Sequence, residues 1–290
     1  MRIKAGNRFK DWLQLSKINI MLPVSLTGFT GYFVYDPHLN AKIFLATSGV
    51  LLLAISASVL NQIQEAELDY KMERTQYRPI PAKRIKLYHA ALFCTFTLFA
   101  GTTVLYLAGN LNAALIGLVN ILWYNGIYTY SKRITAFAVV PGAVTGALPP
   151  VIGWVAAGGG LWEKPIIFIA FLLFIGQIPH FWLLIMKYGE DYKQAGILSL
   201  TDIFTLSQIS RLTFTWVVTS VAAALFLCYF EIIQSRLIIA VLIAVSIYII
   251  WRFTDLLTTG INKNNYRKYS RVLDFYFLLV LLLLISDRII

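Results

Sequence analysis

The chain has 290 residues, of which 58% are hydrophobic and only 13% are charged. Together with a mean hydropathy of +0.70, this composition lies outside the range of soluble globular domains and within that of polytopic membrane proteins. The formal net charge of +11 comes from bases shared among short segments, which argues against an exposed nucleic-acid-binding stripe. The two cysteines, Cys94 and Cys228, lie inside apolar runs and are too few for a disulfide framework or a thiolate metal site.

Apolar segments long enough to cross a bilayer recur along the whole chain. They cover about residues 18–35, 43–60, 87–108, 112–129, 135–157, 165–186, 212–230, 237–254 and 272–286. No stretch of the sequence is left over for a soluble domain. We therefore predict an all-α polytopic membrane protein, a bundle of about nine transmembrane helices. Residues 1–290 are expected to form a single transmembrane domain that begins with a basic cytoplasmic segment at 1–17.

The distribution of lysine and arginine predicts the orientation of this bundle, because these residues accumulate on the cytoplasmic side. With the N-terminus placed inside, all but four of the 25 bases fall on inner segments. The four exceptions are Lys42, Lys164, Arg236 and Arg288. An odd number of spans with a cytoplasmic N-terminus and an outer C-terminus fits this pattern. No small-residue cleavage site follows the first apolar run, so we interpret the N-terminus as a surface segment and not as a signal peptide.

The densest charged cluster is the inner segment that follows the second span, from Asn61 to Pro79. Within it Asn61, Glu65 and Asp69 are spaced at i, i+4 and i+8, which places their oxygen atoms on one face of a helix. Carboxylates interleaved with bases suit a diphosphate, since acids bind Mg²⁺ and guanidinium groups bind phosphate oxygens in pairs. The alternative is a solvated cytoplasmic loop that only obeys the positive-inside rule.

A second polar box, at 187–196, follows the sixth span. We interpret it as another long inner loop, four spans after the first. Both boxes are then expected to open on the same mouth of the bundle. The two boxes suggest a duplicated four-helix unit, although their residue identities do not show a repeat.

Five motifs along the chain resemble one known family in their identity and their order. They are Asn61-xxx-Glu65-xxx-Asp69-xx-Met72-x-Arg74-Thr75-xx-Arg78-Pro79, Tyr128-Thr129 with Lys132-Arg133, Gly146-Ala147-Leu148-Pro149-Pro150, Pro179-His180-Phe181-Trp182, and Asp191-Tyr192-xx-Ala195-Gly196. This series resembles the protohaem IX farnesyltransferases, a branch of the UbiA-type intramembrane prenyltransferases. Quinone-making branches more usually have Asp where this chain has Glu65. The chain departs from the branch around Lys17 and after Gly196, and these departures bear on the acceptor.

The resemblance implies transfer of the farnesyl group of farnesyl diphosphate to a vinyl group of haem B, giving haem O. It also implies Mg²⁺ as cofactor, the bacterial cell inner (cytoplasmic) membrane as location, and a haem A synthase as a partner. With the residue pattern, it assigns roles to a defined set of side chains. Catalysis and metal binding fall to Asn61, Glu65, Asp69 and Asp191; diphosphate binding to Arg74, Arg78, Lys132, Arg133 and Lys187; contact with haem or the prenyl chain to His180, Tyr124 and Tyr128.

Other functions stay open at this point. Within the enzyme class, the acceptor could instead be an aromatic ring such as a quinone precursor. A transporter would place ionisable or helix-breaking residues near the midplane of several spans, whereas here one Gly/Pro-rich span alone resembles a broken helix. A structural assembly factor would not need an Asn/Glu/Asp face. For His180 the alternative is an ordinary buried histidine, and for Tyr124 and Tyr128 an interfacial aromatic belt.

Overall fold

The computed structural model describes residues 8–258 and 266–290, which are helical between short turns and contain no β-strand. A short helix, α1 (Arg8–Leu15), precedes α2 (Ile18–Tyr35) and α3 (Ala41–Gln64). The helices that follow are α4 (Ala66–Lys71), α5 (Leu87–Ala108), α6 (Leu111–Leu122), α7 (Thr129–Ser131), α8 (Val139–Ala156), α9 (Lys164–Gln194), α10 (Leu206–Tyr229), α11 (Arg236–Phe253), α12 (Asp255–Thr258) and α13 (Tyr266–Asp287). A π-helix, Trp123–Tyr128, joins α6 to α7.

Nine helical segments within the described ranges are long and apolar enough to span a membrane, which confirms the predicted bundle. The sixth segment differs most from its prediction, because α9 continues without a break from Lys164 to Gln194. The prediction of an inner loop at 187–196 is therefore wrong for most of its length. The box contains no proline, and Gly189 is accommodated within the helix, so the helix ends only before Gly196, whose φ is +70. The residues of the second box therefore extend α9 beyond the apolar span.

The orientation of the termini stays a prediction, since the fold does not test it. Residues 1–7 of the basic N-terminal segment, with Arg2 and Lys4, lie outside the described residues, as does Lys263. The described part of that segment forms α1, which packs against the bundle. Asp11 forms an ion pair with Arg84, and the side-chain amide of Gln62 donates a hydrogen bond of 2.6 Å to the carbonyl oxygen of Leu15.

These contacts fix the joint between α1 and α2, where Lys17 has φ 46 and ψ 43. This left-handed conformation disfavours a residue with a Cβ by about 1–2 kcal/mol, so the packing around the joint must hold it. Lys17 thereby stands close to the last turn of α3, at the end of the bundle that is predicted to be cytoplasmic and is called the inner end.

Helices α2 and α8 approach each other so closely that their contact requires glycine. A Cβ added at Gly31 would lie 2.0 Å from the carbonyl oxygen of Pro150, and one at Gly153 would lie 1.9 Å from that of Gly28. Within a bilayer, where lipid is as apolar as a leucine side chain, close backbone packing of this kind replaces the hydrophobic effect between helices. The contact fixes α2, and with it the α1–α2 joint, against α8.

We expect Gly31→Ala to destabilise the protein, because the new methyl group has no space beside the backbone of α8. Overpacking of this kind costs about 1–3 kcal/mol, and a backbone neighbour cannot move aside as a side chain can. Thermal unfolding in detergent measures the effect. The matched control is Gly126→Ala, where no atom lies within 4 Å of the added Cβ. Equal melting temperatures for the two variants would contradict the close contact between α2 and α8.

Candidate active site

The three oxygen-bearing residues of the first box lie at the inner end of α3. Asn61, Glu65 and Asp69 are all buried, with exposed fractions of 2%, 7% and 0%. Glu65 leaves ideal helical geometry, with φ −103 and ψ 10, and separates α3 from α4. The helical stagger nevertheless continues, because the amide of Glu65 bonds the carbonyl of Asn61 at 2.9 Å and the amide of Asp69 bonds that of Glu65 at 2.8 Å. The three side chains therefore remain on one face.

Each of the two carboxylates is paired with a base, one from the same box and one from beyond the fourth span. Lys132 Nζ donates to Glu65 Oε1 at 2.9 Å, and Arg78 Nη1 donates to both oxygens of Asp69 at 2.7 Å. The acid side chains are 9% and 1% exposed and the bases 14% and 19%. Burying two ion pairs is expensive, and sites of function commonly hold such groups. The structure thus brings four predicted site residues together.

The pKa values of Lys132 and Lys17 are shifted in opposite directions at this cluster. Burial disfavours the charge of Lys132, but the attraction and hydrogen bond of Glu65 outweigh it, so the pKa of Lys132 lies above its ordinary value. Burial and, to a smaller extent, repulsion from Arg78 and Lys132 lower the pKa of Lys17, which is about 7. Asp69 and Glu65 offset only part of that shift. Lys17 is therefore a further base within electrostatic range of both ion pairs.

The π-helix at the inner end of the fourth span orients Asn61. Thr129, directly after it, donates its hydroxyl to the carbonyl of Tyr124 at 2.9 Å, five residues back. The same hydroxyl oxygen accepts a hydrogen bond of 3.1 Å from Asn61 Nδ2. Since Nδ2 is engaged, Oδ1 is the amide atom left for a cation. The π-helix is itself held to α3 by hydrogen bonds in both directions between Asn125 and Gln64.

Tyr124 and Tyr128 form an aromatic wall beside the ion pairs. Their ring centroids lie 5.3 Å apart, and Lys132 Nζ lies 4.5 Å from the centroid of Tyr128. On its other side Tyr128 contacts the ring of Phe181 edge-on at 6.4 Å. The wall therefore links the first box to α9, and it offers aromatic faces that can stabilise a cation.

The second box meets the first through a small apolar cluster. Met72 packs with Ala195 and Ile197 and with the partly buried Leu68 and Tyr192. This contact places the inner end of α9 next to the segment that follows Asp69. Asp191, one residue before Tyr192, is partly exposed beside this cluster. Both boxes therefore lie at the same end of the bundle.

Three bases assigned to the diphosphate have other partners in the structure. Lys187 donates to the hydroxyls of Tyr188 at 2.7 Å and Tyr266 at 2.8 Å. Arg74 lies over the ring of Tyr188 at 4.8 Å. The exposed Arg133 donates to the carbonyl of Gln64 at 3.4 Å. None of these contacts involves the carboxylate of Glu65 or Asp69.

The donor atoms of the first box fit Mg²⁺ in their chemistry, because they are amide and carboxylate oxygens on one face. In the part of the chain that the structure describes, no three His, Cys, Asp or Glu side chains converge as a metal-binding group. Asp191 is accordingly not gathered with Glu65 and Asp69. The buried amide and acids supply three of the ligands that Mg²⁺ needs, and water or a phosphate can supply others.

His180 lies in the middle of α9, on the membrane side of the second box. Its Nδ1 is 2.8 Å from Oδ1 of Asp274 on α13. The neighbouring Phe181 contacts the aromatic wall at Tyr128. His180 is therefore one layer deeper in the bundle than the ion pairs.

Sequence reasoning missed Lys17, Thr129 and Asp274 as members of this region. Lys17 could have been found from the resemblance, because it stands where the family carries a lysine. Asp274 had a physical signal, as an acid within an apolar span. Thr129 belongs to a motif of the resemblance, but its contact with Asn61 had no signal, since only the π-helix turns its hydroxyl toward that residue.

Comparison with known proteins finds one family model and named relatives that match most of this chain. Residues 22–281 match the sequence profile of the UbiA prenyltransferase family. A protein named protoheme IX farnesyltransferase from Oleidesulfovibrio alaskensis is 34% identical over 272 residues, which cover 92% of each chain. A protein of the same name from Geobacter sulfurreducens is 40% identical over 187 residues, or 64% of this chain and 68% of that one.

Solved structures share the fold at low sequence identity. A digeranylgeranylglyceryl phosphate synthase structure superposes with a TM-score of 0.76 at 22% identity, covering 97% of this chain and 99% of that one. A UbiA homolog from Archaeoglobus fulgidus bound to GPP and Mg²⁺ gives a TM-score of 0.69 at 14% identity, covering 94% and 99%. The arrangement of helices in this chain is therefore that of a known membrane fold.

Proposed function

The chain belongs to the UbiA prenyltransferase family, and we propose that this multi-pass membrane prenyltransferase moves the farnesyl group of farnesyl diphosphate to a vinyl group of haem B, giving haem O. The relatives named protoheme IX farnesyltransferase, at 34% and 40% identity, support the choice of substrates. One observation on this chain carries the proposal: two buried carboxylates, Glu65 and Asp69, each paired with a base at the inner end of the bundle.

The bases near these carboxylates are suited to bind the diphosphate. Arg78 uses Nη1 alone for Asp69, so its remaining N–H groups can donate to phosphate oxygens. Lys132 adds a fixed positive charge. Lys17, with its pKa lowered to about 7 mainly by burial, becomes fully protonated when a diphosphate approaches, because the anion stabilises its charge. We propose Arg74, Arg133 and Lys187 as an outer ring of bases at the mouth.

The amide and acids of the two boxes are suited to hold the metal. Asn61, Glu65 and Asp69 would bind Mg²⁺ directly, and Asp191, which does not converge with them, would reach the metal through a bound water. When bound, Mg²⁺ offsets the charge of the diphosphate as it leaves. The UbiA homolog from Archaeoglobus fulgidus, a relative in fold, was solved with GPP and Mg²⁺, which supports this role. Thr129 keeps the oxygen of Asn61 available by engaging its nitrogen.

The transfer begins when the allylic C–O bond of farnesyl diphosphate breaks and its electron pair leaves with the diphosphate. The bases around Asp69 and Glu65 stabilise that developing charge. Tyr124 and Tyr128 offer their ring faces to the allylic cation, and the bilayer-embedded walls keep water away from it until the new bond forms.

The vinyl group of haem B then supplies the electron pair for the new carbon–carbon bond. This leaves a cation on the vinyl carbon next to the porphyrin. Water adds to that carbon and releases a proton, so the product carries a hydroxyethylfarnesyl side chain. His180, one layer deeper than the diphosphate site, is our candidate for contact with the haem.

The cellular setting is part of the same proposal. We infer a single domain over residues 1–290 in the bacterial inner membrane, with the N-terminus cytoplasmic and the C-terminus outside. The distribution of bases supports this orientation, and the bacterial relatives support the membrane. A haem A synthase is the proposed recipient of the product.

A chromatogram of extracted haems tests the function directly. Membranes from cells that express the protein, and from cells with an empty vector, are incubated with haem B, farnesyl diphosphate and Mg²⁺. We expect a more hydrophobic haem whose mass matches haem O, formed only with the protein. A prenylated quinone precursor without a new haem would identify the acceptor as an aromatic ring instead. The absence of any prenylated product from folded protein would refute the assignment of substrates.

A further inference from the structure

An acid and a histidine meet within the apolar part of the bundle. His180 lies near the middle of α9 and Asp274 lies in the first half of α13, with Nδ1 and Oδ1 only 2.8 Å apart. Ionisable residues in membrane spans are expensive, and they generally face the interior of a bundle or a polar cavity. This pair is therefore a candidate for function beyond the packing of two helices.

The pair is open rather than enclosed, because the side chain of His180 is 40% exposed and that of Asp274 is 54% exposed. The packing of α9 against α13 does not depend on this pair. Gly176, one turn away on α9, already allows close approach to Phe277, whose ring would lie 2.1 Å from an added Cβ. At the inner end Lys187 already bonds the hydroxyl of Tyr266. Helices α9 and α13 are thus held together on both sides of His180.

The position of His180 relates it to the proposed reaction site. On α9 it is seven residues before Lys187 and eleven before Asp191, spacings that keep all three on one stripe of the helix. The rise per residue places it about 10 Å deeper than Lys187. Phe181, its neighbour, contacts Tyr128 of the aromatic wall. A planar substrate bound beside His180 would therefore lie next to the farnesyl chain.

The contact with Asp274 determines what His180 can do. Oδ1 of Asp274 lies 2.8 Å from Nδ1, and because an ionised carboxylate can only accept hydrogen bonds, this neighbour favours the imidazole tautomer whose proton is on Nδ1. In that tautomer Nε2 holds the lone pair, and none of the residues that the structure describes forms a hydrogen bond with it. A nitrogen with a lone pair binds a metal but cannot donate to a haem propionate. A carboxylate behind the imidazole fixes its orientation and makes Nε2 a stronger ligand, as around many metal-binding histidines.

We propose that Asp274 is a positioning residue that holds His180 with Nε2 free to bind the iron of the haem substrate. The inference rests on the proposed function, since it takes haem as the acceptor. Iron ligation would fix the porphyrin plane across the end of His180 and so orient a vinyl group toward the farnesyl cation. Asp274 acts only through the imidazole.

Haem titration of purified variants tests the inference apart from activity. We expect haem B to bind the unmodified protein with a shifted Soret band, and His180→Ala to lose that shift, which added imidazole restores. Asp274→Asn should still bind haem, but about 10–100-fold more weakly and with a higher reduction potential, because the ligand has lost electron density. Tyr266→Phe is the matched control, since it removes a contact between α9 and α13 without touching His180.

Two outcomes would overturn the inference. The first is an unchanged Soret band and affinity in His180→Ala or Asp274→Asn. The second is the same weakening in Tyr266→Phe as in Asp274→Asn, which would assign the acid to helix packing. The haem O yield of the unmodified protein separates the two levels. If the unmodified protein makes haem O and the variants keep its Soret band and haem affinity, iron ligation alone is refuted. If the unmodified protein neither binds haem nor makes haem O, the choice of haem as acceptor is refuted as well.

Discussion

Purified Glu65→Gln and Asp69→Asn proteins are expected to lose prenyl transfer by about a hundred-fold or more at saturating Mg²⁺. Each change keeps the size of the side chain and removes the negative charge that binds the metal. Loss of several kcal/mol of stabilisation of the departing diphosphate accounts for a rate effect of this size. Turnover with farnesyl diphosphate and haem B, followed by haem chromatography, measures it.

The turnover number and the Michaelis constant for farnesyl diphosphate should respond differently to Asp69→Asn. Asp69 holds Arg78, so its neutralisation frees that guanidinium and removes a negative charge beside the diphosphate. If the carboxylate acted only by repelling the substrate, Asp69→Asn would improve binding and leave turnover intact. A metal-binding role instead predicts that turnover falls while the Michaelis constant for the diphosphate stays similar. Wild-type turnover in either variant would refute the metal assignment.

Glu67→Gln is the matched control, because Glu67 lies in the same segment but is exposed between the two buried acids. It should keep full activity. Removing one member of a buried ion pair destabilises proteins by about 3–5 kcal/mol, so thermal unfolding of each variant must accompany the kinetics. The double variant Glu65→Gln/Lys132→Gln leaves no unpaired charge, and we expect it to be folded and equally inactive.

Much of the fold could be predicted because lipid imposes a simple requirement on length and hydropathy. The nine spans follow from apolar runs, and only their inner ends were misplaced. Hydropathy ends a span at the first charged residues, but a helix continues as long as its backbone bonds remain favourable. This difference explains why α9 runs to Gln194 through the charged second box.

The candidate site was only partly predictable. Helical spacing placed Asn61, Glu65 and Asp69 on one face, because that depends on local geometry alone. The pairing of Glu65 with Lys132, across 67 residues, depends on how the spans pack. A π-helix also inserts extra residues into a turn, and no composition rule indicates where it occurs. Thr129 therefore could not be identified as the partner of Asn61.

The structure further separates bases that are alike in sequence. Arg74 and Arg78 are four residues apart and both belong to the first box. Arg78 is mostly buried and reaches Asp69, whereas Arg74 is exposed and lies over Tyr188. The sequence gives both the same proposed role, but their surroundings predict unequal contributions.

We expect Arg78→Lys to impair use of farnesyl diphosphate even though the positive charge is kept. An ammonium can still pair with Asp69, but it lacks the second nitrogen that a guanidinium can direct at a phosphate oxygen. A lost hydrogen bond to a charged group is worth about 1.5–3 kcal/mol, so the specificity constant for the diphosphate should fall roughly 10–100-fold. Arg74→Lys should have a smaller effect, because its contact with Tyr188 is exposed. Arg236→Lys, near the opposite end of the spans, controls for the substitution itself and should change nothing. Equal constants for Arg78→Lys and Arg236→Lys would show that Arg78 serves the ion pair with Asp69 and takes no part in binding the diphosphate.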